Sequence, residues 1–401
     1  MLSKELEKIA GDEIQTYLFS EGEGDISNLQ LRDREKFGLP FKLLAGQLSA
    51  RNKNAFKLPS FYRTKGILYP PSVNLEQSSS ESTGEFKAKT IVNAISKTNA
   101  IMADLTGGFG VDSFFFSKRA AAVDYVEPDP GLLDIARHNL NLLGCSNIQY
   151  HPTNAKDFLD SCRQKYDLIY LDPSRRDAHT RKVFRLADCQ PDIASLRHRL
   201  FEFTEFVLIK TSPLLDIQQG LKELNTVRKV LVVSVNNECK ELLFLIQKGF
   251  SGEPIIETYN LDKRGEVKHF FYFTWEEEKN TDSDFSEPQT YLYEPNASIL
   301  KAGAFKSIGK KFGLRKLQAN THFYTSHLLN ENFPGRIFKI DQLEFDRKNF
   351  LEKKANVITR NHPLSVEELK KKLKLADGGE KYVIGFSSIK KKYSVLATRL
   401  V

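Results

Sequence analysis

Residues 103–112, ADLTGGFGVD, constrain the fold more than any other stretch of this 401-residue chain. A short apolar run precedes them and SFFF follows at 113–116, which predicts a strand, a glycine turn and a helix. Gly107, Gly108 and Gly110 let the backbone turn tightly and approach a ligand that Cβ atoms would keep away. The helix directs its free N–H groups at the same place. An ordinary tight turn between a strand and a helix explains such a segment as well. The residues downstream are needed to distinguish it from a ligand-binding turn.

Four more apolar runs follow the glycine turn, and each ends in polar residues. They lie at residues 121–126, 148–151, 166–171 and 206–209. Segments with helical periodicity separate them, and Asp129 with Pro130 is a typical start for one of these helices. The alternation predicts an α/β fold with a parallel, doubly wound sheet, which binds ligands outside the carboxyl ends of its strands.

Acidic residues stand where the second, third and fourth strands end. Glu127 follows the second strand, and a carboxylate there can accept both hydroxyl groups of a ribose. Asp157 follows the third strand and can accept the exocyclic amine of an adenine, and Asp172 follows the fourth. An NAD-binding Rossmann domain is the structural rival, but it needs Gly-x-Gly-x-x-Gly, and Ser113 stands where the third glycine would be.

The motif Asp-x-Thr-Gly-Gly-x-Gly, with the carboxylates and the pair Asp172-Pro173, resembles class I S-adenosylmethionine-dependent methyltransferases over about residues 76–250. The resemblance implies that S-adenosylmethionine (SAM) is the cofactor. The residues implied to bind it are Asp104, Thr106, Gly107, Gly108, Gly110, Glu127 and Asp157. Residues 76–83, EQSSSEST, are either polar cover for the methionine end of SAM or a serine-rich linker.

A narrower resemblance covers LDPSRRD at 171–177, NNECKELL at 236–243 and NVITRNHPLS at 356–365. These segments are similar to bacterial methyltransferases with a THUMP-like C-terminal domain. The family implies a Rossmann-like methyltransferase sheet and a C-terminal α+β THUMP-like module, and the helical pattern of the first 75 residues predicts an N-terminal helical region. THUMP domains belong to RNA-modifying enzymes, so the resemblance implies tRNA or rRNA as substrate.

Asp172 stands where the methyl acceptor would be held. In relatives that methylate amino groups, the motif is Asp-Pro-Pro-aromatic, whereas Ser174 and Arg175 fill its last two positions here. A guanidinium can also stack on a base or bind phosphate. We therefore expect Asp172, Pro173 and Arg175 to be catalytic, with a base nitrogen as acceptor. Arg175, Arg176 and Arg181 are expected to bind the substrate.

The residues after the fifth strand argue against one other chemistry. Relatives that methylate a pyrimidine carbon use a cysteine nucleophile there, whereas this chain has KTSP at 210–213. A methyltransferase that uses a covalent cysteine intermediate is therefore not expected.

Basic residues are concentrated in the last third of the chain. The net charge is +8, from 59 Lys and Arg against 51 Asp and Glu, and residues 281–401 hold 22 of the former and 13 of the latter. Solvated charged faces explain this excess, and so does a polyanionic partner. The residues expected to contact RNA are Lys310, Lys311, Arg315, Arg360, Lys370, Lys371 and Lys374.

The sequence predicts four parts. These are an N-terminal helical region at 1–75, a SAM-dependent methyltransferase domain at 76–278, a small basic α+β connecting domain at 289–350 and a THUMP-like β-α-β-β module at 351–401. Residues 276–288, EEEKNTDSDFSEP, are acidic and poor in apolar residues, which predicts a linker. Residues 295–316 are predicted to be helical, and a capping box at Ser365 starts the helix of the last module.

Composition excludes several classes of protein. No apolar run approaches 18 residues, and the start MLSKELEKIAGDE lacks the apolar core of a signal peptide. The four cysteines are scattered without a CxxC pair, so neither a metal site nor a disulfide framework is expected. We expect a cytoplasmic protein without a membrane or metal partner.

Two function classes remain open from the sequence. The first is an RNA methyltransferase with a C-terminal RNA-binding module. The second is a methyltransferase for a small molecule or a protein, with that module as an interaction domain. A scaffold that binds the cofactor without catalysis is a third, against which the intact pair Asp172-Pro173 weighs.

Overall fold

The computed structural model describes residues 2–20, 35–175 and 185–401. The chain divides into two compact units. The first comprises residues 1–228, 242–251 and 262–266, and the second comprises residues 229–241, 252–261 and 267–401. The N-terminal helices and the glycine turn belong to the same unit, and the four domain boundaries drawn from the sequence stay predictions.

The N-terminal region of the first unit is mainly helical. Its helices are Lys4–Ala10, Asp12–Ser20, Phe41–Lys53, Pro59–Arg63 and Ser72–Gln77, with strands β1 (Glu35–Lys36) and β2 (Leu39–Pro40) paired antiparallel. The ring centroid of Phe61 lies 5.2 Å from that of Phe109, and the ring of Tyr69 lies 6.3 Å from it. Since Phe109 belongs to the glycine turn, the N-terminal region braces that turn from one side.

A largely parallel sheet forms the centre of the first unit. Its strands and their neighbours are β3 (Ala100–Asp104), β4 (Ala120–Val126), β5 (Ile148–His151), β6 (Leu168–Leu171), β7 (Ser174–Arg175), β8 (Cys189–Gln190), β9 (Phe206–Thr211), β10 (Val227–Val235) and β11 (Glu238–Gln247). Within this unit the order is β11-β9-β6-β3-β4-β5, and only β11 is antiparallel to its neighbour. β7 and β8 form a separate two-stranded ladder.

Helices connect the strands as the apolar pattern predicts. They are Glu81–Ile95, Val111–Ser117, Pro130–Leu142, Ala155–Ser161, Ile193–Phe203 and Ile217–Leu224. Asp129 accepts hydrogen bonds from the N–H groups of Gly131 and Leu132 at 2.8 and 3.2 Å, with Pro130 at the first helical position. This start is confirmed. Within the described ranges no helix combines the length and the apolar character needed to cross a membrane.

The strand order places a crevice beside β3. The chain goes from β3 outward to β4 and β5 and then returns to the other side of β3 as β6. Strand order reverses at that point, and α/β sheets bind ligands at the carboxyl ends of the strands there. Asp104 ends β3 and Asp172 follows β6, so both face this crevice. The predicted Rossmann-like fold class is confirmed.

The second unit begins with β10 and continues with β12 (Ile255–Leu261) and β13 (Val267–Thr274). β10 pairs with β12 in parallel, and β12 pairs with β13 antiparallel. β12 and β13 therefore form a hairpin.

A seven-stranded sheet forms the rest of the second unit, in the order β15-β16-β14-β17-β20-β19-β18. The strands are β14 (Tyr291–Pro295), β15 (Arg315–Gln318), β16 (Thr321–Ser326), β17 (Gly335–Gln342), β18 (Asn356–Arg360), β19 (Lys381–Ser387) and β20 (Lys392–Arg399). Phe323, Phe338 and Phe386 are fully buried in its core. Helix Val366–Leu373 lies between β18 and β19 in the chain, and its capping box from Ser365 and Glu368 is present as predicted.

Two predictions for the second unit are wrong. Residues 276–288 are not simply a linker, because Trp275–Asn280 is a helix in which Glu278 is buried and accepts hydrogen bonds from the N–H groups of Phe305, Lys306 and Ser307. Residues 295–316 are not one helix. They form two short helices, Ala297–Ala302 and Ser307–Phe312, and then enter β15, because Gly303 and Gly313 adopt left-handed conformations that end each helix.

Candidate active site

The glycine turn folds tightly against the second strand. A Cβ atom on Gly107 would lie 2.3 Å from the ring of Tyr125, so no larger residue fits without a rearrangement. Gly108 and Gly110 have φ values of 57° and 85°, which favour glycine. The Tyr125 hydroxyl donates to the Gly108 carbonyl at 2.5 Å, which ties the turn to strand β4.

Asp104 supports the turn from beneath. It is 1% exposed, and its carboxylate accepts hydrogen bonds from the Thr106 N–H at 3.0 Å and from the Ser113 hydroxyl at 2.6 Å. Burial raises the pKa of Asp104 to about 7, with Asp112 and Asp172 adding to the rise. Ser113, the residue that argued against an NAD site, is thus a structural partner of Asp104.

Glu127 joins the end of β4 to the turn. Its carboxylate accepts the Gly108 N–H at 3.0 Å and the Asp129 N–H at 2.9 Å, one on each oxygen. Each carboxylate oxygen has a second acceptor site, so two hydroxyl groups of a ribose can still bind. Burial raises the pKa of Glu127 above its ordinary value. These features fit the ribose of SAM.

Thr106 connects the turn to the end of β6. Its hydroxyl accepts a hydrogen bond of 2.7 Å from the Asp172 N–H, while its own N–H binds Asp104. Asp157 lies apart from these contacts, exposed in the first turn of the helix Ala155–Ser161, where Asn154 donates to its carboxylate at 2.8 Å. Its position after β5 leaves the adenine role a prediction.

Asp172 is paired with a lysine that the sequence reasoning did not select. The Lys210 ammonium, near the end of β9, donates to Asp172 Oδ2, and the Asp172 side chain remains 30% exposed. Burial raises the pKa of Asp172 above its ordinary value, although Lys210 opposes that rise. The carboxylate of Asp172 is therefore a hydrogen-bond acceptor already in contact with a cation.

A network of buried polar side chains extends from this pair. The Ser79 hydroxyl lies 3.1 Å from the ammonium groups of both Lys87 and Lys210, and it donates to Asp112 at 2.8 Å. Lys87 is fully buried and lies 3.1 Å from Asp112 Oδ1, and the Tyr170 hydroxyl donates to Asp112 at 2.8 Å. Burial opposes ionisation of Asp112, but the two lysines hold its pKa below the ordinary value.

Two of these network residues carried a weak signal in the sequence. Lys210 is the charged residue in the otherwise apolar strand FVLIKT, and Asp112 directly follows the glycine turn. Lys87 lies within a helix of mixed polarity and gave no signal. The contacts join residues 79, 87, 112, 172 and 210. These residues are far apart in the sequence, and hydrophobic periodicity predicts only local structure.

The predicted arginines are only partly described. Pro173 is buried, and Arg175 is in β7, where its backbone pairs with Cys189. Arg176 and Arg181 lie outside the described residues. Their roles stay predictions.

The basic residues of the second unit occupy three different settings. Lys310, Lys311 and Arg315 are exposed in or beside the helix Ser307–Phe312, and Lys371 and Lys374 are exposed at the end of the helix Val366–Leu373. Arg360 is paired with Glu294 at 2.8 Å, and Lys370 is paired with Glu367 and Asp377 at 3.1 and 2.7 Å. The two paired cations are less available for phosphate than the exposed ones.

Among residues 2–20, 35–175 and 185–401, no three or more His, Cys, Asp or Glu side chains are arranged to hold a metal ion. The glycine turn, the buried carboxylate of Glu127 and Asp172 after β6 lie at the carboxyl ends of the strands where the strand order reverses, which is where α/β sheets bind ligands.

Comparison with known proteins places the chain in a family. The crystal structure of a provisionally assigned methyltransferase from Porphyromonas gingivalis W83 is 31% identical with a TM-score of 0.85, over 100% of this chain and 99% of that chain. A family model described as a ferredoxin-like domain matches residues 291–334, and one described as THUMP domain-like matches residues 335–399. The chain therefore belongs to the bacterial class I SAM-dependent methyltransferases with a THUMP-like C-terminal domain.

More distant structures match only part of the chain. A provisionally assigned RNA methyltransferase from Pyrococcus horikoshii is 14% identical with a TM-score of 0.34, over 47% of this chain and 96% of that one. An O-methyltransferase from Bacillus cereus in complex with SAH is 12% identical with a TM-score of 0.33, over 44% and 88%. Likeness at this level carries no conclusion about substrate. No curated protein matches the sequence.

Proposed function

We propose that this protein is a SAM-dependent methyltransferase that acts on RNA in the cytoplasm, with tRNA or rRNA as substrate and a base nitrogen as the acceptor expected from the sequence. The observation that carries the proposal is the 3.0 Å hydrogen bond from the Gly108 N–H to Glu127. It holds the glycine turn against the carboxylate that we propose binds ribose, at the point where the strand order reverses.

The residues of this pocket suit the parts of SAM. Gly107 lets the turn pack on Tyr125, and Gly108 leaves room for a ligand against the backbone. Glu127 accepts ribose hydroxyls, and Asp157 accepts the adenine amine. Asp104 and Thr106 hold the turn in shape. When bound, SAM supplies a methyl group on a sulfonium, which is already a strong electrophile.

The chain's own work at the acceptor is to position it, to exclude water and to take a proton. Asp172, with the Pro173 carbonyl, lies next to Thr106 of the cofactor pocket and provides the hydrogen-bond acceptors for this work. Arg175, Arg176 and Arg181 follow directly in the chain, and guanidinium groups there would bind the phosphates beside the reacting nucleotide.

Features of the second unit support RNA as the partner. Phe270 and Tyr272 are 46% and 51% exposed on one face of β13, and their rings stack with centroids 5.8 Å apart. The Lys311 ammonium lies 4.4 Å from the centre of the Tyr272 ring. Exposed aromatic rings beside cations bind unpaired bases and their phosphates. The THUMP-like match and the basic excess of residues 281–401 favour the same partner.

Methyl transfer into separated cell fractions tests the proposal. The full-length protein is incubated with methyl-labelled SAM and with RNA, protein and metabolite fractions from a bacterial strain that lacks its own copy of the gene. Label is expected in RNA, and Asp172→Asn is the inactive control. Label confined to protein or metabolites would instead support the alternative function, with the C-terminal module as an interaction domain.

A further inference from the structure

The contact between Lys210 and Asp172 restricts what the acceptor can be. Asp172 Oδ2 accepts a hydrogen bond from the Lys210 ammonium, and Lys210 also lies 3.1 Å from the Ser79 hydroxyl and 3.9 Å from Asp112 Oδ2. Both side chains of the pair are at the carboxyl ends of neighbouring strands. The Lys210 ammonium therefore lies against the carboxylate of Asp172, the group that would take the proton of the methyl acceptor.

The lysine is held firmly in that place. Its side chain is 10% exposed, and Ser79 links it to the second buried lysine, Lys87, and to Asp112. Lys87 and Asp112 form their own ion pair at 3.1 Å, so this carboxylate is shared between the two cations. Ser79 and Asp112 thus hold the Lys210 ammonium in place against Asp172. Of the paired side chains, Asp172 is the more exposed.

A fixed cation has opposite effects on two kinds of acceptor. An exocyclic amine that attacks a methyl group gains positive charge as the new bond forms, and a neighbouring ammonium opposes that change. A hydroxyl group or a lactam N–H gives up its proton and develops negative charge, which a neighbouring ammonium stabilises. In a lactam the charge is delocalised onto the adjacent carbonyl oxygen.

We propose that Lys210 is a positioning residue for an acceptor that loses a proton and carries the charge on oxygen, namely a ribose hydroxyl or the lactam N–H of a base. This inference rests on the proposed function and changes its acceptor class. Ring N–H groups of bases stay, exocyclic amines are left out, and the ribose hydroxyl is added. The acceptor atom bonds to the methyl carbon as the bond from that carbon to sulfur breaks and the electron pair stays on sulfur. The acceptor's proton passes to the Asp172 carboxylate, while Lys210 stabilises the negative charge.

The methylated product tests the acceptor class without any variant. Full-length protein, methyl-tritiated SAM and total RNA from a strain lacking the gene are incubated, and the RNA is hydrolysed in alkali. A methylated ribose 2′-oxygen blocks this cleavage, so label in alkali-resistant dinucleotides identifies the hydroxyl. Label in mononucleotides methylated at a guanine or uracil ring N–H identifies the lactam. Label on an exocyclic amine or on carbon overturns the proposal.

Failure of the RNA assignment gives a different result. If protein or metabolites take up the label and RNA does not, the proposed function is wrong about its substrate. The acceptor class is then read from the labelled product, where methyl ethers support the role of Lys210 and methyl esters or methylated amines overturn it.

Variants of Lys210 test the residue itself. Lys210→Met is expected to lower kcat by about 100-fold, with KM for SAM within about threefold, and Lys210→Arg is expected to recover part of kcat because it restores the charge. The kcat of Lys210→Met should also rise with pH, as the acceptor ionises without help. An unchanged pH profile, or equal losses in both variants, would mean a merely structural lysine.

Lys229→Met is the matched control, since Lys229 is also a strand lysine paired with a carboxylate, Glu257, at 2.6 Å. It is expected to keep the wild-type kcat and pH profile. The same loss in Lys229→Met as in Lys210→Met would overturn the assignment.

Discussion

The proposed cofactor side and the proposed acceptor side of the crevice are built in different ways. On the cofactor side, Asp104, Thr106, Gly108 and Glu127 lie within 24 residues of sequence, and their contacts run mainly through backbone N–H groups. On the acceptor side, five side chains at positions 79, 87, 112, 172 and 210 meet through ion pairs and one bridging hydroxyl.

The electrostatics of the two sides differ as well. Asp104 and Glu127 are buried beside backbone donors, and burial raises the pKa of each. Asp112, on the acceptor side, is equally buried, but Lys87 and Lys210 hold its pKa below the ordinary value. One side therefore suits neutral hydroxyl and amide groups, whereas the other suits a reaction in which a proton and its charge move.

The largest expected effect is a loss of methyl transfer when Asp172, on the acceptor side, is changed. Asp172→Asn keeps the shape of the side chain but removes its charge and its capacity to take a proton. Methyl transfer is expected to fall by about 100-fold to 10,000-fold, measured as label entering RNA. Asp160→Asn, an exposed carboxylate on the helix after β5, is the control and should keep its activity. Wild-type activity in Asp172→Asn would remove Asp172 from the mechanism.

The next effect is a steric one on the cofactor side. Gly107→Ala places a Cβ atom 2.3 Å from the Tyr125 ring, and the strain is expected to weaken SAM binding by about tenfold to a hundredfold, or about 1–3 kcal/mol. Gly46→Ala is the control, because no atom lies within 4 Å of its Cβ position in the helix Phe41–Lys53. Calorimetric titration with SAM measures both. Equal affinity in the two variants would contradict the packing described for the turn.

A smaller effect is expected in the second unit. The triple variant Lys310→Glu, Lys311→Glu, Arg315→Glu removes three exposed cations, so the slope of log affinity for RNA against log salt should fall by about 2 in magnitude. The matched triple variant Lys4→Glu, Lys8→Glu, Lys53→Glu changes the net charge equally in the N-terminal region. Fluorescence titrations at several salt concentrations compare the two. The same loss in both would indicate only a net-charge effect.

Full-length variants are the better test here, because Glu278 is tied to Phe305, Lys306 and Ser307. A chain cut after Glu278 would leave this buried carboxylate without those partners.

A last expected effect concerns the pH dependence of stability. The pKa of Asp104 is raised from 3.8 to about 7, so the native state holds this proton between those pH values while the unfolded state has lost it. The contribution of Asp104 to the free energy of unfolding therefore decreases as pH rises through that window. Asp104→Asn should lose less stability than wild type between pH 4.5 and pH 7, measured by urea unfolding. Parallel curves would show that the pKa is not raised.

The same contrast explains what the sequence could predict. The cofactor side could be predicted from the sequence because glycine spacing and carboxylates at strand ends are local signals. The acceptor side was found only at Asp172, since Lys87 and Lys210 are brought together by the packing of a helix and a strand 123 residues apart in the chain. No periodicity in the sequence records such a contact.

The two wrong predictions in the second unit have physical causes of the same kind. Residues 276–288 looked like a linker because they are acidic, yet Glu278 caps a turn 29 residues away in the chain. Residues 295–316 were expected to continue as one helix, but the left-handed glycines at 303 and 313 end it twice. The strand arrangement after Asn356 was predicted correctly, because short alternating strands and a capping box are again local signals.

The most direct test of the central claim is calorimetric titration of SAM into two full-length variants, Glu127→Ala and Asp172→Ala, with the methyl-transfer rate measured on the same samples. Glu127→Ala removes a carboxylate of the cofactor side and should weaken SAM binding by about tenfold or more, since hydrogen bonds to a charged group contribute about 1.5–3 kcal/mol each. Asp172→Ala should bind SAM within a few-fold of wild type and transfer no measurable methyl group. If both folded variants lost SAM affinity to the same extent, the crevice would not be divided into a cofactor side and an acceptor side.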